Sequence, residues 1–179
     1  MSFRDQNELE AVGFEGFLEF HRLAVGSSDV VPDEPGVYLF YRDSVNPPVF
    51  RELAPTRPHK GHQSRIPVDV LHEMWLSSSP VIFIGCVGGP KASRTLRREL
   101  GVPLQTVFPG SPRKGARAWH LRDAESLKAA WFATPGEDPR VVLRRFLSEF
   151  EAEHGALPFA NQKPPSRSLD NSALNADVE

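Results

Sequence analysis

One short stretch constrains this chain more than any other: Pro80-Val81-Ile82-Phe83-Ile84-Gly85, apolar without interruption. It is too short for an ordinary helix and is bounded by Ser77-Ser78-Ser79 and by Gly88-Gly89. Such a run reads as a central strand buried on both faces. A second run, Gly36-Val37-Tyr38-Leu39-Phe40-Tyr41, follows the turn cluster Pro32-Asp33-Glu34-Pro35 and reads as another strand. With 179 residues, the chain has the length for one domain around one buried core.

The remaining pattern completes an α/β domain. A weaker strand is expected over Val49 to Leu53, and further strands over Ala116 to Leu121 and Ala129 to Ala133. Asn7 to Leu23 reads as an amphipathic helix weakened by Gly13 and Gly16. Val68 to Leu76 reads as a helix, and so does the basic stretch Ala92 to Leu100, with Gly101 expected to stop it. Pro103 to Gly115 is expected to be loop. The clearest helix is Pro139 to His154: Asp138 suits its N-cap, proline its first position and Gly155 its end. Leu143, Phe146, Leu147 and Phe150 form the stripe that packs on the sheet. The organisation expected is an N-terminal helical segment (1–30), a domain (31–162) and a disordered polar tail (163–179).

Composition limits the function. No apolar run approaches the roughly 20 residues that span a bilayer, so no membrane contact is expected and a cytoplasmic location is the default. A lone cysteine, Cys86, excludes an internal disulfide or a cluster of thiolates around zinc; it reads as a small core residue. Net charge is −2, but it is unevenly spread. Between Val87 and Arg122 stand Lys91, Arg94, Arg97, Arg98, Arg113, Lys114, Arg117 and Arg122, opposed only by Glu99. A polyanion such as DNA fits that asymmetry; a solvated surface whose arginines pair with acids elsewhere fits it as well. His59 and His62 lack a neighbouring Asp, Glu or Cys and read as loop residues. His120, beside the basic segment, is a candidate acid/base; the plainer reading is a surface histidine.

Several of these segments, taken in order, resemble a known family. Gly36-Val37-Tyr38 and Phe83-Ile84-Gly85 resemble the paired tripeptide strands of the GIY-YIG nucleases, with Gly36 and Gly85 as the motif glycines. Thr95-Leu96-Arg97-Arg98-Glu99-Leu100 resembles the LRxRL helix that follows them, and Gly115 to Trp119 and Ala130-Trp131 resemble the later strands. The ending Gly155-Ala156-Leu157-Pro158-Phe159-Ala160-Asn161 is similar to the family's helix-to-asparagine terminus. The resemblance spans about residues 30–162 and implies that the long interval between the two tripeptides, at about 43–79, is an insertion.

What it implies is a small domain with a central, mainly antiparallel sheet flanked by helices. Family members cut DNA by metal-assisted phosphodiester hydrolysis. A tyrosine activates or orients water, an arginine holds the phosphate, and a glutamate on the last helix holds Mg2+ or Mn2+. Tyr38 matches the first tyrosine and Asn161 the terminal asparagine, while the second tyrosine is replaced by Phe83. The second arginine falls on Glu99, with Arg98 and Arg94 as neighbours that adjacent helical geometry turns away, and the glutamate falls on Leu143. The catalytic candidates are thus Tyr38, Arg98, His120 and Asn161, with Lys91, Arg94, Arg97, Arg113, Lys114 and Arg117 as DNA contacts. No metal ligand is identified and no cofactor is implied, except Mg2+ or Mn2+ in an active enzyme. The expectation is a catalytically degenerate relative that binds DNA or a partner. The alternatives are an active endonuclease of restriction or defence type and an unrelated α/β protein-interaction module.

Overall fold

The computed structural model describes residues 2–24, 27–55, 65–89, 94–105 and 115–163. Its centre is a sheet of four strands: β1 (Glu15–Glu19), β2 (Gly36–Tyr41), β3 (Val81–Val87) and β4 (Lys128–Ala133), in the order β1-β4-β2-β3. Every pairing is antiparallel. Among the described residues five α-helices accompany it: α1 (Gln6–Val12), α2 (Phe20–Ala24), α3 (Val68–Glu73), α4 (Leu96–Gln105) and α5 (Pro139–His154). Among the described residues no helix is long and apolar enough to cross a membrane. Lys91, Arg113, Lys114, His59, His62 and the tail beyond Lys163 lie outside the described residues.

Alternation along the strands sorts side chains onto two faces, each with its own core. Val37, Leu39 and Tyr41 of β2 meet Val142, Phe146 and Phe150 of α5, together with Phe3, Leu9 and Phe14. Tyr38 and Phe40 point the other way, toward Phe20, Leu96, Leu100, Trp119, Trp131 and Phe159. In β3 a register shift beside Tyr41 puts Ile82 and Phe83 in the same core, although they are consecutive. The helix α5 is as its sequence predicts: Asp138 accepts a hydrogen bond from the Arg140 N–H at 3.0 Å, and Gly155 closes the helix in the left-handed conformation.

Elsewhere the structure departs from the sequence expectations. The helix expected over Asn7 to Leu23 is split into α1, β1 and α2. Gly13 (φ +107°) caps α1 and ends it, and the next residues pair with β4 as β1, with Gly16 (φ +100°) and Phe17 (φ +49°) at the register shift inside that strand. A Cβ on Gly16 would lie inside the Trp131 ring. The N-terminal segment is therefore part of the sheet. No strand forms at Val49 to Leu53; only the bridges Phe50–Leu121 and Leu53–Arg65 are made. Ala116–His120 is a 3₁₀ turn instead of a strand. Helix α3 ends at Glu73, and α4 begins at Leu96 and continues through Gly101, which is buried and does not take a left-handed conformation.

The apolar run around Phe83 is fully buried as expected, yet β3 is an edge strand. The reason lies at the far end of the chain. Ala160 N–H donates to Ile82 O (2.8 Å), and the Asn161 side chain both accepts from Ile84 N–H (2.9 Å) and donates to Ile84 O (2.8 Å). One amide thus takes the place of a neighbouring strand, satisfying groups that would otherwise be orphaned at an apolar edge. The turn holding Asn161 is itself clamped: the Arg117 guanidinium donates to Phe159 O (2.8 Å), and Gln162 Nε2 donates to Met74 O (3.0 Å). Replacing Asn161 by Ala removes both bonds to Ile84 and is expected to cost about 1–3 kcal/mol. The melting temperature should fall by roughly 2–4 °C for each of these; an unchanged value would show that water replaces the amide.

Candidate functional site

Tyr38 lies in the middle of β2, opposite Gly85 on one side and Trp131 on the other. Its ring packs against Phe40 and Phe83, both at 5.9 Å between centroids. The two motif glycines are explained by this crowding. A Cβ on Gly85 would stand 2.6 Å from Phe83 Cε1 and 3.0 Å from Tyr38 Cζ. On Gly36 it would strike the Phe132 carbonyl and approach Leu96 Cδ1 to 2.6 Å, so glycine there lets α4 lie against β2. Both positions exclude a side chain for reasons of packing.

That close approach brings Glu99 to the tyrosine. The Tyr38 hydroxyl donates to Glu99 Oε1 at 3.2 Å, and Arg94 Nη2 stands 3.6 Å from Glu99 Oε2. Tyr38 is 2% exposed, the Glu99 side chain 13% and Arg94 65%. Burial pushes the Tyr38 hydroxyl well above its ordinary range, and the adjacent Glu99 charge and hydrogen bond push it further. The hydroxyl is held protonated, as a donor. Arg94 was expected to be turned away by helical geometry; it precedes the first turn of α4, so that constraint does not apply to it.

The other expected site residues are dispersed. Arg98 is exposed on α4. Arg97 Nε donates to Val31 O (2.9 Å), which ties α4 to the loop before β2. Arg117 is engaged with the C-terminal turn as described, and burial lowers its pKa. His120 is not at the surface: it is completely buried, at the end of the 3₁₀ turn, with Nδ1 2.9 Å from Arg51 O. Burial favours its neutral form, and the nearby Arg117 and Arg51 charges act in the same direction. Asn161 has both amide groups on Ile84. Phe83 is buried in the aromatic cluster and brings no polar atom to the tyrosine, and Cys86 is buried on the opposite face.

Leu143 holds the position where the family resemblance places a metal-binding glutamate. It packs, partly buried, on the core beneath α5, which is the face opposite Tyr38. Among the described residues no group of three His, Cys, Asp or Glu side chains could enclose a metal ion. One carboxylate does reach the tyrosine, and it comes from α4. In the sequence Glu99 stands out as the lone acid among the basic residues and as a replaced arginine; its partner is 61 positions away, and only packing of α4 on β2 joins them. Comparison of the chain with protein-family models, with curated proteins and with solved structures gives no match.

The chain has two tyrosines, and burial raises Tyr41 as well, with Asp43 adding to the effect. The expected outcome of a spectrophotometric titration is no phenolate absorbance near pH 10, the ordinary value, while the protein is folded. The unfolded chain releases these protons first. The associated stability is therefore complete below pH 10 and is lost as pH rises above it. Glu99→Gln removes the charge and should move the ionisation of Tyr38, read in a Tyr41→Phe background, to lower pH. A wild-type midpoint near 10 for either residue would contradict the geometry.

Proposed function

We propose that this chain is a GIY-YIG-like domain that binds its target without cutting it. The observation that carries this reading is the hydrogen bond from Tyr38 to Glu99. Cleavage of a phosphodiester needs a tyrosine free to meet the attacking water and a cation where negative charge accumulates. Here the hydroxyl is already donated to a carboxylate, and that carboxylate repels an approaching phosphate. The position of α5 supports the same reading, since its sheet-facing stripe lies on the face opposite Tyr38.

DNA is the first target class to consider, because the basic excess lies between Val87 and Arg122. Arg97 is engaged with a backbone carbonyl, which leaves Arg98 as the exposed α4 cation of that segment. Lys91, Arg113 and Lys114 belong to the same basic segment of the sequence. A protein partner is the other target of the same reading.

One observation favours cleavage as a second reading: a carboxylate does stand beside Tyr38, and Mg2+ bound through water needs as little as one. Supercoiled plasmid incubated with Mg2+ or Mn2+ separates the two. The binding reading predicts no nicking beyond a Tyr38→Phe control; nicking abolished in that control establishes cleavage. A gel shift across a salt series then tests the target. DNA binding through phosphate contacts should weaken with a slope near −0.9 per contact, and Arg98→Ala should reduce the slope by about one contact. No shift at low salt excludes DNA.

A further inference from the structure

At the other end of β3, on the α5 side of the sheet, lies a second polar constellation, separate from Tyr38 and Glu99. Ser78, exposed in the turn before β3, has its Oγ 3.1 Å from Nδ1 of His154, the last residue of α5. The other ring nitrogen, Nε2, is buried, has no hydrogen-bond partner and stands 3.6 Å from Glu153 Oε2. The His154 side chain is 3% exposed and its ring lies tilted against Phe150, with centroids 4.4 Å apart, so packing restricts its orientation.

The charges around the ring assign its tautomer. Glu153 is held as a carboxylate. Burial works to raise its pKa, but the Phe3 N–H (3.0 Å), Ser2 Oγ (3.0 Å), the His154 ring and Arg4 Nε (2.8 Å) outweigh it. That negative charge favours a proton on Nε2. Burial meanwhile pushes the whole imidazole toward its neutral form, against the pull of Glu153. A neutral ring with Nε2–H leaves the Nδ1 lone pair to accept from Ser78 Oγ–H. The 3.6 Å separation is longer than a hydrogen bond, as acid–base pairs often are before substrate binds.

The serine also faces a space. A cavity of about 630 Å³ is lined by Tyr41, Val45, Pro47, Trp75, Ser78 and Arg4 among others, a size suited to a small organic molecule. Its walls combine aromatic and aliphatic side chains with the polar Asp43, Ser44, Asn46 and Ser77. Arg42, also on the wall, is committed to Asp123 (2.7 Å) and lies over the Trp75 ring. Arg4 is 70% exposed and holds Glu153 through Nε, which leaves its terminal N–H groups at the rim. The neighbouring Ser79 is occupied, donating to Phe3 O (3.0 Å) and accepting from Val81 N–H (3.1 Å).

We propose that Ser78, with His154 as its base and Glu153 behind the imidazole, is the nucleophile of a second site that hydrolyses small aryl or alkyl esters. Ser78 Oγ forms a bond to the ester carbonyl carbon as its proton passes to His154 Nδ1. The carbon–oxygen bond to the alcohol or phenol then breaks, and the leaving oxygen takes that proton. Water gives a proton to the same nitrogen as it attacks the acyl group; the acid departs and the proton returns to Ser78. Arg4 supplies positive charge where the carbonyl oxygen becomes negative.

The test is covalent labelling of the full chain with a fluorophosphonate probe, read by peptide mass spectrometry, with release of nitrophenol from p-nitrophenyl acetate as a second readout. The expected adduct is on Ser78, is absent in Ser78→Ala and is unchanged in Ser77→Ala. His154→Gln should slow labelling about 100-fold, in the range of general-base contributions. In the wild type the rate should rise with pH to a plateau, with its midpoint below the ordinary histidine value of 6.5. This profile does not depend on the His154 variant folding. No adduct, an adduct on another serine, or a rate that does not change across that range would overturn the proposal.

Discussion

Every part of this domain is arranged around the burial of β2. All six of its residues are buried, and it is paired on one side with β3 and on the other with β4. A strand covered on both faces needs two apolar layers, and α5 and α4 with α2 supply them. It also carries a hydroxyl into a place without water. An unsatisfied hydroxyl there would cost about 1–3 kcal/mol, and Glu99 is the group that accepts from it. Anchoring α4 and satisfying Tyr38 are thus one structural event, made possible by the missing side chain at Gly36.

The same contact changes the chemical meaning of the site. A tyrosine beside an arginine and a metal is a reactive group; beside a carboxylate in a buried pocket it is a structural donor. The basic residues that give the sequence its nucleic-acid character are divided between different tasks. Arg97 and Arg117 bind carbonyls and hold loops, Arg94 accompanies Glu99, and Arg98 faces solvent. Charge counted along a sequence therefore overstates the charge available to a ligand.

Strongly periodic or uniformly apolar segments were legible from the sequence: β2, β3, β4 and α5 stand where their patterns put them. The failures have local causes. The N-terminal segment has enough leucine and phenylalanine to read as one helix, but Gly13 ends α1 in a left-handed conformation, and Gly16 and Phe17 take positive φ within the strand that follows it. Residues 116–120 have the composition of a strand, yet they coil so that Trp119 and His120 are buried. The edge position of β3 could not be read locally, because its covering group is Asn161, 77 residues away. Tyr38 and Glu99 were both singled out, each for its own role. Ser78 and His154 were not singled out as a pair. Their only signal was a serine triplet before a strand and a histidine at the end of the last helix.

The central claim is that Glu99 is the partner of a protonated Tyr38 and not a ligand of a divalent ion. Mn2+ binding, followed by the relaxation of water protons, tests it directly. The account predicts no site tighter than millimolar in the wild-type protein and no difference in Glu99→Gln. A micromolar site that is abolished by Glu99→Gln would contradict it.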